Sequence, residues 1–333
     1  MNHSPSLLSR HRGALLATAK AAVGLGLLAL LLAQIGWVEI KALLGRANLG
    51  QLTIACGWLA LALAAQAWRW MAVMGGLDAP ITPRTAFVGT FESMLFNQLL
   101  PSSVGGDAWR ALRAYDAGLA AEGAVVGVLI DRAFGLIAVA LVIVLAWAIG
   151  GATVTATAVF PLIAFAAACI VGGAGVAAIA GTDFKRESLP AGARWIVALL
   201  HAFATIARRR APLAHIVAAM ALFTLLSSLA FQACGKALGL HIDLWTAMIV
   251  LQGLLLASVI PISIGGWGLR EGAAVLLFAG TGIAAAEATA VSILFGLTAT
   301  VMGVLGGVVW MLNGYQRVAP ADGFAALRPG PRD

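Results

Sequence analysis

Charged and strongly polar residues are sparse along this chain, and the apolar runs between them recur from end to end. At a rise of about 1.5 Å per residue, about 20 apolar residues in a helix cross a hydrocarbon core of roughly 30 Å. Six runs meet that length: about Ala21 to Val38, Leu52 to Met74, Ala124 to Gly150, Thr153 to Gly181, Leu213 to Leu238 and Ala288 to Leu312. Each is predicted to be a full transmembrane helix. Two further apolar stretches, Ala86 to Leu119 and Ile242 to Gly282, are built differently. Each is too long for one span, has no polar loop to divide it, and carries a Pro and a Gly-Gly pair near its middle. Proline lacks the backbone donor and clashes with the preceding turn. Each stretch therefore reads as a helix–break–helix hairpin, either re-entrant or two short crossings.

Composition agrees. The chain is 61% hydrophobic and 11% charged, against roughly 45–50% and 25% in soluble domains. A net charge of +7 would by itself suit a nucleic-acid partner, but the hydropathy overrules that, and no nucleic acid is expected. A membrane protein with one basic face accounts for both facts. Placing the N-terminus in the cytoplasm leaves only Lys41, Arg46, Lys236 and Arg270, of the 21 Lys and Arg, on the far side. Arg69, Arg84, Arg110, Arg113 and Arg132 then fall on the cytoplasmic side with both termini and the polar segment 182–211. The expected organisation is a cytoplasmic tail (1–20), one transmembrane domain (21–312) and a disordered cytoplasmic tail (313–333). The first run has a basic flank (Arg10, Arg12, Lys20) but is too long for a signal-peptide core, so no cleavage is expected. Cys56, Cys169 and Cys234 each sit in an apolar run, without metal-ligand spacing. No metal or other cofactor is expected.

The most informative pattern is a self-match. Residues 101–110 read PSSVGGDAWR and residues 261–270 read PISIGGWGLR, so both fit Pro-x-Ser-[Val/Ile]-Gly-Gly-x-x-x-Arg. Phe134-Gly135-Leu136 is answered by Phe295-Gly296-Leu297, and Gly76-Leu77 by Gly239-Leu240. Repeat one covers about 52–150 and repeat two about 213–312. In the assigned topology the two copies enter the membrane from opposite sides. The predicted fold class is therefore an all-α integral membrane protein: six full transmembrane helices plus two broken-helix, re-entrant hairpins in an inverted repeat. Such repeats with broken helices are a transporter signature, the substrate site lying near the midplane. Close packing of Gly-rich membrane helices is the plainer alternative.

Each motif position has a physical use. Pro101 and Pro261 end a helix. Gly105-Gly106 and Gly265-Gly266 permit positive φ and allow a backbone or ligand to approach. Ser103 and Ser263 can cap the helix that follows, whose first turn offers unpaired N–H groups and the positive dipole end. Arg110 and Arg270 add a full charge about one turn in. Together these make an anion site, and the guanidinium fork suits phosphate. An arginine at membrane depth costs about 2.5–3.5 kcal/mol on insertion scales, a default sign of function; snorkelling to an interface is the alternative. Asp107 and Glu271 neutralise these arginines, contact a cationic headgroup, or carry protons. Asn97 and Gln98 precede the first break and satisfy freed carbonyls or touch a ligand. Glu92 is interfacial or functional. Asp131-Arg132 reads as a self-paired cytoplasmic helix end. The five histidines are scattered, and Arg208-Arg209-Arg210 reads as a basic run facing lipid headgroups. No Walker A, GxSxG or HExxH pattern occurs, so no enzyme is expected.

Residues 97–107 (NQLLPSSVGGD) with Arg110, then Asp131-Arg132 with Gly135-Leu136, and residues 261–272 (PISIGGWGLREG), resemble the lysylphosphatidylglycerol synthase transmembrane, or flippase-domain, family. The resemblance runs from about residue 15 to 315. It implies an inner-membrane protein that moves or presents a lipid. Bifunctional members carry a soluble aminoacyltransferase domain after the membrane part. This chain ends about 20 residues beyond its last run, so a stand-alone member is expected and lysyl transfer is not. Stand-alone members resemble translocases of varied lipids, some linked to hopanoid or glycolipid pathways. The expected function is lipid transport by a translocase-like protein that holds an anionic headgroup at the two motifs. Its ligand would be a phospholipid or a polyprenyl- or hopanoid-type lipid. A non-catalytic partner of a lipid-biosynthesis enzyme is the alternative, and an intramembrane enzyme comes third.

Overall fold

The structure is a computed structural model that describes residues 37–99, 104–150, 154–157, 159–165, 167–168, 191–259 and 266–313. Its helices are α1 (Trp37–Gly45), α2 (Leu49–Gly76), α3 (Pro83–Leu99), α4 (Val104–Asp116), α5 (Ala121–Ile149), α6 (Ala191–Arg208), α7 (Arg210–Ala237), α8 (Leu244–Val259), α9 (Leu269–Phe278) and α10 (Ala285–Leu312). Four of them, α2, α5, α7 and α10, are long and apolar enough to cross a membrane. They match the predicted runs within three residues at either end. The predicted spans at 21–38 and 153–181 lie largely outside the described residues.

The two unusual stretches are each divided in two. The first becomes α3 and α4, of 17 and 13 residues; the second becomes α8 and α9, of 16 and 10. At about 1.5 Å per residue these helices run about 15–26 Å, short of a roughly 30 Å core. As described, α3 runs to Leu99 and α8 to Val259, each two residues before a motif proline. The prolines themselves, with Ser103, Ser263 and Gly265, lie outside the described residues.

The order long–short–short–long thus occurs twice, as α2–α5 and α7–α10. Their packing follows the repeat. Helices α2 and α7 lie antiparallel: the Asn48 N–H donates to the Ala237 carbonyl at 2.8 Å at one end, and Gly76 meets Pro212 at the other. Asn48 also starts α2, its Oδ1 accepting from the Gln51 N–H at 3.1 Å. Helix α3 packs on α10 of the other unit, and α8 packs reciprocally on α5. The α3–α10 contact is close because α10 presents glycines. At Gly306 the Phe91 carbonyl leaves no room for a side chain, and Gly303 faces Met94 and Gln98. The amphipathic α6 covers α5 and α7, with Phe203 stacked on Phe134 at 4.7 Å. The largest core lies between the two units, around Phe231, Phe278 and Leu254.

Candidate functional site

Charge is gathered where α2, α4 and α5 meet. Arg69 of α2 forks onto Asp131 of α5, with Nε 2.7 Å from Oδ1 and Nη2 3.1 Å from Oδ2. Arg110 of α4 reaches the same carboxylate, with Nη2 2.8 Å from Oδ2. Asp131 is 1% exposed and Arg110 2%. Two buried cations thus share one buried anion. Desolvating such groups costs several kcal/mol each unless the partners are well placed. Part of that cost is offset by Trp70, whose ring lies 4.5 Å from the Arg110 guanidinium. Gly135 gives Arg69 its seat: a Cβ there would stand 3.4 Å from Nη1. Asp107 binds Arg132 and lies 3.7 Å from Arg110.

These groups line a cavity of about 180 Å³ together with Asn97, Gln66, Gln252 and apolar residues of α5 and α7. At a liquid share of about 30 Å³ per water, it has room for about six waters. Among the described residues its charged lining is Arg69, Arg110 and Arg132 against Asp107 and Asp131, three cations to two anions. The Gln252 side chain is 1% exposed, and its Nε2 has no hydrogen-bond partner among the described residues.

The α3–α4 hairpin holds Arg110 in place. The Asn97 Oδ1 accepts from the Gly106 N–H at 3.0 Å, so the amide satisfies the start of α4 rather than a carbonyl freed at the break. Gly106 is helical, and no positive φ is required of it. Its need for glycine is steric: a Cβ would lie 2.5 Å from Asn97 Oδ1 and 2.6 Å from the Ser93 carbonyl oxygen. Gly105 is buried in the same turn. Lower in the hairpin, Glu92 is fully buried and accepts from Trp109 Nε1 at 2.7 Å and from both arms of Arg113 at 2.7 and 2.5 Å. It is a clip between α3 and α4, not an interfacial acid.

The second motif is arranged differently. Here positive φ does occur, at Gly266 (77°) and Gly268 (86°). The Gly268 N–H donates to Glu271 Oε2 at 2.6 Å, so a carboxylate of the helix itself occupies the N-terminus expected to take a phosphate. Glu271, 0% exposed, also pairs with Arg270 at 2.9 Å. Ser292 bridges the two, donating to Glu271 at 3.1 Å and accepting from Arg270 Nε at 3.2 Å. The Trp267 ring covers Arg270 at 4.7 Å, and Gly296 packs directly on its guanidinium. Neither Arg270 nor Glu271 lines the cavity.

Of the sequence candidates, the structure therefore brings Asn97, Asp107 and Arg110 to the cavity, with Gly105 and Gly106 in the turn behind them. Gly266, Arg270 and Glu271 form a separate closed cluster. Arg69, counted from the sequence with the cytoplasmic-side charges, is a buried partner of Asp131. Two readings are corrected. Asp131 and Arg132 do not pair with each other: Asp131 binds Arg69 and Arg110, and Arg132 binds Asp107. Glycine at 106 serves close approach, not turn conformation. Arg69 and Gln252 were the residues missed. The one signal for Arg69 was a lone guanidinium within the apolar run 52–74; Gln252 gave none.

The family model described as the lysylphosphatidylglycerol synthase TM region matches residues 17–307 of this chain. No curated protein matches it.

Proposed function

Since the chain belongs to the lysylphosphatidylglycerol synthase TM region family, we propose that it is a lipid translocase whose cavity between α2, α4 and α5 holds an anionic headgroup. The observation that carries this is the convergence of three buried or half-buried guanidiniums, Arg69, Arg110 and Arg132, on one cavity. The Arg110 Nε donor has no acceptor among the described residues, and a phosphate oxygen suits the planar guanidinium fork. The acyl chains remain in the bilayer while the headgroup crosses through the polar interior. This mechanism makes and breaks no bond, and assigns the protein no enzymatic step.

The two four-helix units are, in this reading, an inverted repeat with re-entrant hairpins. Matched helix lengths, antiparallel α2 and α7, and the exchanged pairs α3–α10 and α5–α8 support it. Rocking of one unit against the other then exposes the cavity to each side in turn. The closed Arg270–Glu271–Ser292 cluster is the rigid counterpart of the open site, not a second headgroup contact. The proposed location is the cell inner membrane, both termini cytoplasmic, as the Lys and Arg distribution supports.

The test is purified protein in liposomes with a labelled anionic phospholipid. Arg110→Ala should slow movement between leaflets by about ten- to a hundredfold, the equivalent of losing one charge-assisted hydrogen bond of roughly 1.5–3 kcal/mol. Arg110→Lys should rescue poorly, because a point charge cannot replace the fork. Near-normal movement in Arg110→Ala would remove the phosphate site and favour a non-catalytic partner of a lipid-biosynthesis enzyme.

A further inference from the structure

Each four-helix unit is preceded by a helix that packs on the other unit. Helix α1 leads into α2, yet Ile40 packs with Ala286 and Ile293 of α10 and with Trp267, the ring that covers Arg270. Helix α6 leads into α7, yet Phe203 and Ile206 join Val73, Ile130 and Phe134 of the first unit. That apolar cluster includes Ala138 and Met220, which also line the cavity. The floor under α6 is therefore the wall of the cavity. The two covers are fastened differently. An offset of 161 residues carries Asn48, where α2 starts, onto Arg209, where α7 starts, and Gly76 onto Ala237. At the α1 end the Asn48 N–H donates to the Ala237 carbonyl at 2.8 Å. At the α6 end the Gly76 carbonyl instead accepts from a side chain, Arg209 Nη1 at 3.1 Å. The same guanidinium forks onto Asp78 at 2.7 Å to each oxygen. The Arg209 and Asp78 side chains are 41% and 73% exposed. Such an ion pair is weak and screened by salt, whereas a main-chain bond does not depend on side-chain charge.

From this we infer that α6 is a movable cover over the cavity, latched at its C-terminal end by Arg209 on Asp78 and Gly76. Opening lifts Phe203 and Ile206 off Phe134 and Ile130 and uncovers the wall at Ala138 and Met220 from the side proposed as cytoplasmic. Helix α6 is amphipathic. An amphipathic helix lies in a membrane interface with its apolar face toward the acyl chains, so the lifted face does not have to meet water. Helix α1, tied by a main-chain bond, stays closed over the Arg270 cluster. The inference rests on the translocase reading in one respect, that the cavity needs a route to one side. The cover itself is read by access to the cavity, with no lipid involved.

Thr224 lines the cavity, and Thr224→Cys in a background without the three native cysteines is the reporter. Inside-out membrane vesicles present the cytoplasmic face to 2-sulfonatoethyl methanethiosulfonate, an anionic thiol reagent that does not cross membranes. Adding Asp78→Asn should speed modification by roughly two- to fivefold, the range an exposed ion pair supports. High salt should speed the reporter alone but not the Asp78→Asn protein. A lock tests the converse. A Cβ at Gly76 would stand 3.0 Å from Ile206 Cγ1, so Gly76→Cys and Ile206→Cys lie within disulfide reach. Oxidising that pair should abolish modification, and dithiothreitol, removed before the reagent is added, should restore it. One rate in all three proteins, access that survives the oxidised lock, or faster modification in right-side-out vesicles overturns the cover. Such a failure leaves the translocase reading to the liposome assay. A protein that moves no lipid but shows latch-dependent access keeps the cover and loses the translocase.

Discussion

Asp131→Asn is the sharpest perturbation of the site. The substitution keeps the shape of the side chain and removes the one charge that Arg69 and Arg110 share at 2.7 and 2.8 Å. Both guanidiniums stay buried, at 7% and 2% exposure, so water cannot take over. Breaking a buried ion pair by removing one partner typically costs about 3–5 kcal/mol. The amide oxygen still accepts from one arginine, which places the isostere toward the lower end. Tryptophan fluorescence during thermal unfolding in detergent reads the loss as a lowered midpoint. The reasoning makes a second demand. Without Asp131 the cavity lining loses one of the two anions described there, so an anionic lipid becomes a better substitute for the missing carboxylate. Added dihexanoyl phosphatidylglycerol should therefore raise the midpoint of Asp131→Asn more than that of wild type. Arg69→Met combined with Asp131→Asn should cost less than the sum of the two single changes by about 0.5–3 kcal/mol. An unchanged midpoint together with additive single effects would refute the shared buried anion.

Two other expectations are independent of the cavity. The Arg209 guanidinium, 2.7 Å from both carboxylate oxygens, holds Asp78 below its ordinary value of 3.8. A lowered folded value means the pair's contribution is complete above that ordinary value and is lost as pH falls through the folded one. Asp78→Asn, which suits the left-handed φ of 56°, should therefore differ from wild type in stability at pH 7, and the difference should shrink as the pH falls below the ordinary value of 3.8; a difference that stays constant as the pH is lowered would rule the ion pair out. For orientation, Pro190→Cys and Pro320→Cys, each in a background without the three native cysteines, should label from the same side in intact cells, and opposite labelling would end the proposed topology.

The long helices were legible in the sequence because their cause is local: apolar length marks α2, α5, α7 and α10 without help from the rest of the chain. The self-match located both hairpins and Arg110. What the two motifs do was not legible, because it depends on residues brought in from elsewhere. The motifs look alike in one dimension, yet Asp131 of the first unit stands where the second has Ser292. That difference leaves Arg110 sharing a distant acid beside a cavity, whereas Arg270 is closed off by its neighbour Glu271. Arg69 and Asp131 are 62 residues apart, on helices whose local patterns give neither a partner. Charge pairing inside a membrane is set by which helix faces meet. The sequence alone thus determined an all-helical membrane protein carrying two matching Pro-x-Ser-[Val/Ile]-Gly-Gly-x-x-x-Arg motifs. Only the packing of α2, α4 and α5 decided which repeat is open, because burial forces each guanidinium onto whatever anion the fold brings within reach.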